Sequence, residues 1–298
     1  MPDNRAFLPI VAALMAIASL SLMDAFMKGA ALAAGAYSAA VFRSAIAAGM
    51  ITPIWLMRGS KWPVFAVLKI HLLRGTVSAF MALSFFYALT KLPIAEAIAI
   101  SFIAPLVALY LAAILLGETI RHEAVLASVL GFAGSMIIVG GRLGAADFDL
   151  ETLKGLAALL FSALLYAWNF IIIRRQALVS SPLEATVFHS SVGAFVLLLA
   201  APWLLTLPAV PVYADIAAAA VLTIGGSLAL TWAYARAEAQ VLVPLEYTGF
   251  LWAGLFGWLF FQETVTISAV IGTALIVCGC WIAARHSAEQ ARPEHTAM

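Results

Sequence analysis

Ten apolar runs, each close to the about 20 residues that a helix needs to cross a hydrocarbon core about 30 Å thick, succeed one another along the chain. Their limits read as 7–32, 36–57, 70–91, 95–116, 123–141, 153–174, 184–206, 213–234, 240–261 and 266–284. The longest connections, around "RGSKWPVFAVLK" and "GRLGAADFDLET", are too short to fold as separate domains. Inside lipid every backbone N–H and C=O must be bonded internally, which leaves helices for segments of this length. Composition agrees: 64% of the 298 residues are hydrophobic and 10% charged, against roughly a quarter charged in a soluble domain. The expected fold is an all-α integral membrane protein of ten transmembrane helices.

The few charges are unevenly placed. With a cytoplasmic N-terminus, that side collects Arg5, Arg58, Lys61, Lys69, Arg74, Arg121, Arg174, Arg175, Arg236, Arg285 and Arg292, and the opposite side Lys28, Lys91, Arg142 and Lys154, while Arg43 falls inside a span. Eleven against four places both termini in the cytoplasm by the positive-inside rule, as an even number of spans requires. The first run carries Asp24 and Lys28 and lacks a convincing cleavage site, so it reads as a retained span rather than a signal peptide. A net charge of +1 points to no nucleic-acid partner. Cys278 and Cys280 lie two apart on one helix and so face different ways, which suits neither a disulfide nor a metal site. No cofactor is expected, and the chain reads as a monomer in the bilayer.

Sliding the sequence over itself by 145 positions gives a gapless match. "FFYALTKLPIAEAIAISFIAPLVALYLAAILLGET" lies over "LTWAYARAEAQVLVPLEYTGFLWAGLFGWLFFQET", so that Tyr87 meets Trp232, Lys91 meets Arg236, and Glu118 with Thr119 meets Glu263 with Thr264. One residue out of step, "VFRS" at Val41 answers "VFHS" at Val187. The chain divides into five-span halves, 1–145 and 146–298. Five is odd, so the second half must enter the membrane from the opposite side. Inverted repeats of this kind characterise secondary transporters, because exchanging the conformations of the two halves turns an inward-open state into an outward-open one.

Two five-span halves, each with a fourth span like "PLVALYLAAILLGE" ending in a glutamate, resemble the ten-span drug/metabolite transporter superfamily and its EamA-type domains. The resemblance covers nearly the whole chain, and its overall character is similar to YddG-type bacterial exporters of aromatic and other amino acids. It implies a multi-pass protein of the bacterial inner membrane that exports small molecules. The second half departs from the pattern where Gln262 replaces the glycine of "GE" and Phe250 stands at the position of Pro105.

Charged groups near the bilayer centre need a partner, a wet cavity or a function. Ser21, Asp24 and Lys28 share one face of span 1, and Tyr166 and Asn169 occupy the matching face of span 6. These faces are expected to line a central cavity, the alternative for Asp24 and Lys28 being an i, i+4 ion pair with a snorkelling lysine. Span 3 carries Thr76, Phe80, Ser84 and Tyr87, and span 8 Thr223, Ser227, Thr231 and Tyr234, two residues out of phase under the repeat; one stripe therefore serves packing. Trp55, Trp62, Trp203 and Trp281 sit near span ends as interfacial residues. Tyr87, Tyr166, Trp168, Trp232, Tyr247 and Trp252 either line a cavity for an aromatic substrate or fill helix interfaces. Arg43 and His189 occupy repeat-related positions. Pro105 and Pro244 interrupt spans 4 and 9 beside Ser101 and Glu246, which align with each other, and a broken helix next to a polar group suits a substrate contact.

The candidate binding residues are thus Glu246, Asp24, Tyr166, Asn169, Ser101, Tyr87, Trp168, Trp232, Ser21 and Phe250. A zwitterionic amino acid would find an ammonium acceptor in Glu246 or Asp24 and carboxylate donors in Asn169, Arg43 or the backbone. The alternative for Glu246 is neutralisation by Arg43 or Lys28. The chain has no G-x-x-x-x-G-K phosphate loop and no H-E-x-x-H pair, since "HEAVL" at His122 lacks the second histidine. An enzyme is thereby disfavoured, and nothing favours a channel. The expected partners are a small-molecule substrate and the lipid bilayer.

Overall fold

The computed structural model describes residues 4–59, 61–104, 107, 122–143, 149–236, 245 and 248–290. Among these run helices α1 (Asn4–Ala34), α2 (Ala36–Met57), α3 (Phe65–Leu89), α4 (Ile94–Ser101), α5 (His122–Leu143), α6 (Leu150–Ala177), α7 (Pro182–Leu198), α8 (Val212–Tyr234), α9 (Gly249–Phe261) and α10 (Ile267–Gln290), with one further turn at Ala201–Leu204 and no strand. Glu246, Tyr247, Pro105, Pro244, Glu118 and Thr119 lie outside the described residues. Among the described residues, five helices are long and apolar enough to cross a membrane: Leu8–Ala34, Ala36–Met57, Phe65–Leu89, Leu150–Ile173 and Val212–Ala233.

The helix limits follow local chemistry more closely than hydropathy. Asp149 is the N-cap of α6, accepting from Thr152 N at 2.7 Å and Thr152 Oγ1 at 2.8 Å, so this helix begins before the apolar run expected from residue 153. These bonds hold the Asp149 carboxyl below the usual carboxylate range, the Thr152 backbone bond foremost. α3 likewise begins at Phe65 rather than 70, because Lys69 lays its ammonium 4.6 Å from the centre of the Phe65 ring and remains in the helix. The run expected over 184–206 breaks at Leu198. Pro202 stands four residues on, where its ring excludes the Leu198 carbonyl from a helical bond.

Helix packing has a symmetry that the repeat explains. α1 packs on α8 and α6 on α3; α2 packs on α8 and α7 on α3; α2 meets α7, α4 meets α9 and α5 meets α10. Exchanging the halves, α1 for α6 and so on, maps this pattern onto itself. The self-paired helices run antiparallel. At the start of α2, Tyr37 Oη donates to the carbonyl of Leu197 at the end of α7, and Ser38 Oγ lies 2.9 Å from Thr206 Oγ1. Towards the other end of α2, Thr52 lies 3.3 Å from Ser191, and Trp55 packs edge-on to Phe188 near the start of α7. Equivalent helices that point in opposite directions define an inverted repeat.

Glycines bring α5 and α10 into backbone contact. A Cβ on Gly134 would stand 2.4 Å from Gly272 O, and one on Gly272 would stand 2.5 Å from Gly134 O, the close approach that small residues permit in membranes. The outward surface is apolar, with Met15, Phe80, Leu164, Phe195, Leu251 and Ile267 among its exposed side chains. Trp62, Trp203 and Trp281 are exposed as expected, whereas Trp55 is only 2% exposed. It belongs to an aromatic cluster with Trp62 and Phe188, because its position on α2 faces α7 rather than lipid.

Candidate functional site

The symmetry of the packing converges on one polar pocket between the halves. Arg43 and Ser44 of α2 face His189 and Ser190 of α7, the equivalent residues of "VFRS" and "VFHS". Ala47 and Gly193, also equivalent, form part of the wall, as do Ser78 of α3 and Thr223 of α8, which are 145 positions apart. Residues that the repeat equates therefore meet across one small space, which places that space on the axis relating the halves. The pocket encloses about 10 Å³, close to the space one water occupies.

Arg43, 7% exposed, stacks its guanidinium 5.1 Å from the centre of the Phe86 ring and donates from Nη1 to Thr223 Oγ1 at 3.1 Å. Asp24 on α1 is likewise buried, and its repeat partner Asn169 on α6 accepts from Ser78 Oγ at 3.4 Å. Arg43 Nε and His189 Nδ1 are buried without a bond partner among the described residues. One turn along α3, buried Arg74 donates to Gln176 Oε1 and also keeps an unbonded, buried Nε. Gln176 Nε2 in turn donates to His71 Nδ1, and His71 Nε2 reaches Glu184 Oε1 at 2.8 Å. A single tautomer, protonated on Nε2, satisfies both histidine bonds. Arg74, counted with the cytoplasmic-side cations of the charge bias, is a buried group inside α3.

A second polar cluster closes one end of the bundle. Lys28 of α1 forms an ion pair with Glu263 beyond α9 and donates to Leu92 O at 2.7 Å; the other carboxylate oxygen accepts from Ile94 N at 2.8 Å, at the start of α4. Gln262, in the left-handed region at φ 55°, turns the chain so that Glu263 N bonds Gly257 O at 3.1 Å. The carboxylate then lies over Gly257, where a Cβ would stand 2.8 Å from Oε2. Nearby, Lys91 bonds Glu151 at 2.8 Å, and that contact raises the lysine above its ordinary value. Between the start of α2 and the end of α3, at this same end, opens a cleft of about 570 Å³ lined by Tyr37, Ser38, Ser84, Tyr87 and Thr206. Its volume is within the range of small-molecule sites, about 300–1,000 Å³.

The sequence candidates scatter over these features. Asn169 flanks the pocket through Ser78, while Asp24 and, one turn before it, Ser21 are buried on α1. Tyr87 lines the cleft. Ser101 turns its hydroxyl back onto Ala97 O at 2.8 Å, Phe250 packs against the core, and Trp232 lies under the Arg236 guanidinium at 4.2 Å. Tyr166 is half-buried, whereas Trp168 is 42% exposed and points outward from α6. Lys28 reaches across to Glu263 instead of snorkelling. The α3 residue equivalent to Thr223 is Ser78, outside the Thr76–Phe80 stripe, and Phe80 itself is exposed. Ser44, Ser78 and Ser190 were missed as candidates, although "VFRS" against "VFHS" carried two of them. Buried Glu96, which accepts from Thr266 Oγ1 at 3.1 Å, had no signal in the repeat.

A multi-pass helical membrane protein with an inverted repeat and a polar pocket on its axis has the architecture of a secondary transporter. Residues 7–140 and 153–285 each match the EamA-like transporter family, and the chain belongs to that family, within the drug/metabolite transporter superfamily. It is similar to the pseudopaline exporter CntI of Pseudomonas aeruginosa, 24% identical over 275 residues that cover 91% of this chain and 94% of that one. It is similar also to the S-adenosylmethionine uptake transporter of Rickettsia bellii, 26% identical over 269 residues, 89% of each chain, and to an uncharacterized transporter of Helicobacter pylori, 29% identical over 213 residues, 69% of this chain and 70% of the relative. A crystal structure of a protein 20% identical in sequence superposes with a TM-score of 0.66 over 95% of this chain and 99% of that one, which shows a shared fold. These names are those of transporters rather than enzymes.

Proposed function

We propose that the chain exports small amphipathic metabolites, amino acids with aromatic ones among them, across the bacterial inner membrane by alternating access, with both termini in the cytoplasm. The observation that carries this reading is the meeting of equivalent residues from the two antiparallel halves in one polar pocket. A site on the axis keeps its lining when the halves exchange conformations, and so can face either side in turn. The cleft beside Tyr87 and the Lys28–Glu263 cluster lie at the end that the lysine and arginine bias assigns to the outside, and would form the outer entrance. An exporter and an uptake transporter are among the sequence relatives, and S-adenosylmethionine contains an α-amino acid group, which supports amino-acid-like cargo. Counterflow in proteoliposomes tests the proposal. Vesicles preloaded with unlabelled amino acid should accumulate labelled amino acid with saturation, and flux that starts at the cytoplasmic face should outpace the reverse flux. The absence of saturable exchange across an amino-acid panel would overturn it.

A further inference from the structure

We infer that the pocket on the axis is the docking point for a carboxylate of the cargo, with Arg43 as its principal donor and His189 and Ser78 completing the cradle. The inference rests on the transporter reading and adds the place at which the cargo's free carboxylate is held. Three observations converge on it. Arg43 is only 7% exposed, yet among the described residues its Nε–H has no acceptor and His189 Nδ1, which lines the same pocket, has no partner; a buried polar group without a partner is costly. Two guanidiniums, those of Arg43 and Arg74, lie in this region of the apolar bundle, and neither has a carboxylate within salt-bridge distance among the described residues. Asp24, buried on the neighbouring α1, makes no ion pair with Arg43 among the described residues, so the guanidinium is left for an anion to engage.

The fork of a guanidinium matches the two oxygens of a carboxylate. In the present conformation the space admits about one water, so the carboxylate enters when the halves rock apart and takes the place of Thr223 on Arg43. Asp24, buried on the neighbouring α1, is then the carboxylate to receive an ammonium, and the pair selects an α-amino acid head.

The test is thermal stabilisation of the purified full-length protein by L-methionine and L-phenylalanine, each compared with its uncharged-carboxyl amide, together with exchange of the same compounds in proteoliposomes. Wild type should favour each acid over its amide by about tenfold to a hundredfold, the scale of a charge-assisted bond. Arg43→Gln should abolish that preference, His189→Ala should weaken it, and Arg43→Lys, which keeps the charge and guards against a folding artefact, should retain part of it. Equal binding of acid and amide, an unchanged preference in Arg43→Gln, or no binding of any carboxylate would overturn the inference. Saturable exchange of a solute lacking a carboxylate would do so while leaving the transporter reading intact, whereas absence of all exchange would strike the transporter reading itself.

Discussion

Removing Lys28 should show how much the cluster at the α4 end holds the bundle together. Its ammonium contacts Glu263 and the carbonyl of Leu92, and its side chain is 8% exposed against 17% for Glu263. Lys28→Met leaves Glu263 charged and partly buried, a situation that costs about 3–5 kcal/mol in comparable pairs. The Ile94 N–H at 2.8 Å and the positive end of α4 remain to hold the carboxylate and offset about 1 kcal/mol of that, so the single change should cost about 3 kcal/mol. Glu263→Met leaves Lys28 with Leu92 O and the Phe261 ring at 5.3 Å, and should also cost about 3 kcal/mol. With both charges gone neither desolvation penalty remains, so the double variant should lose no more than about 3 kcal/mol, a coupling of about 3 kcal/mol. Neutral hydrogen bonds between membrane helices couple by about 0.6 kcal/mol and at most about 1.7, which separates the two cases. Equilibrium unfolding in mixed micelles with rising dodecyl sulfate, followed by tryptophan fluorescence, measures all four corners of the cycle. A coupling below about 0.5 kcal/mol, the level of an exposed pair, would refute the assignment of a desolvated clamp.

Four further outcomes are expected, three from the geometry and the last from the sequence. Gly134→Ala drives a methyl to 2.4 Å from Gly272 O and should cost about 1–3 kcal/mol, read as a lower melting temperature in detergent. Gln262→Gly removes the left-handed penalty at φ 55° and should stabilise by about 1 kcal/mol, read in the same melt. Asp149→Ala should lower the melting temperature at neutral pH. Because the folded-state carboxyl is held below its ordinary 3.8, its contribution is present above that value and lost as pH falls through the folded value, so the gap to wild type should close in strong acid. Glu246→Gln should sharply reduce exchange while leaving membrane insertion intact, and wild-type flux from that variant at several pH values would remove Glu246 from the mechanism.

Apolar run length and the 145-residue match were enough to reach an inverted helical repeat, because both are properties of the bilayer and of chain direction, and neither depends on how side chains meet. The site was harder to read. Asp24 and Asn169 stand out because they lie in register on equivalent helices; both are buried, and Asn169 bonds Ser78 of the pocket wall. Trp168 was chosen for its size alone and faces outward, since a tryptophan is as much at home against lipid as in a cavity. Ser78 escaped because periodicity picked out a polar stripe on α3 whose face was wrong by two residues, an angle that only the packing of α3 against α6 and α7 decides. Glu96 escaped because it has no polar counterpart in the second half, and asymmetry is invisible to a search for repeats.

Arg43 and His189 stand across the axis from one another, and that has a bearing on why the two halves are joined. Two separate copies of a single five-helix unit, inserted in opposite senses, would present identical residues at this point. Two guanidiniums about 4 Å apart at an effective dielectric of about 20 repel by about 4 kcal/mol, with scarcely room for a screening water. A covalent tandem can hold an arginine on one side and an imidazole, which is free to stay neutral, on the other. The fused chain thus keeps the mechanical symmetry needed for rocking while ridding its centre of the electrostatic symmetry that would push the halves apart.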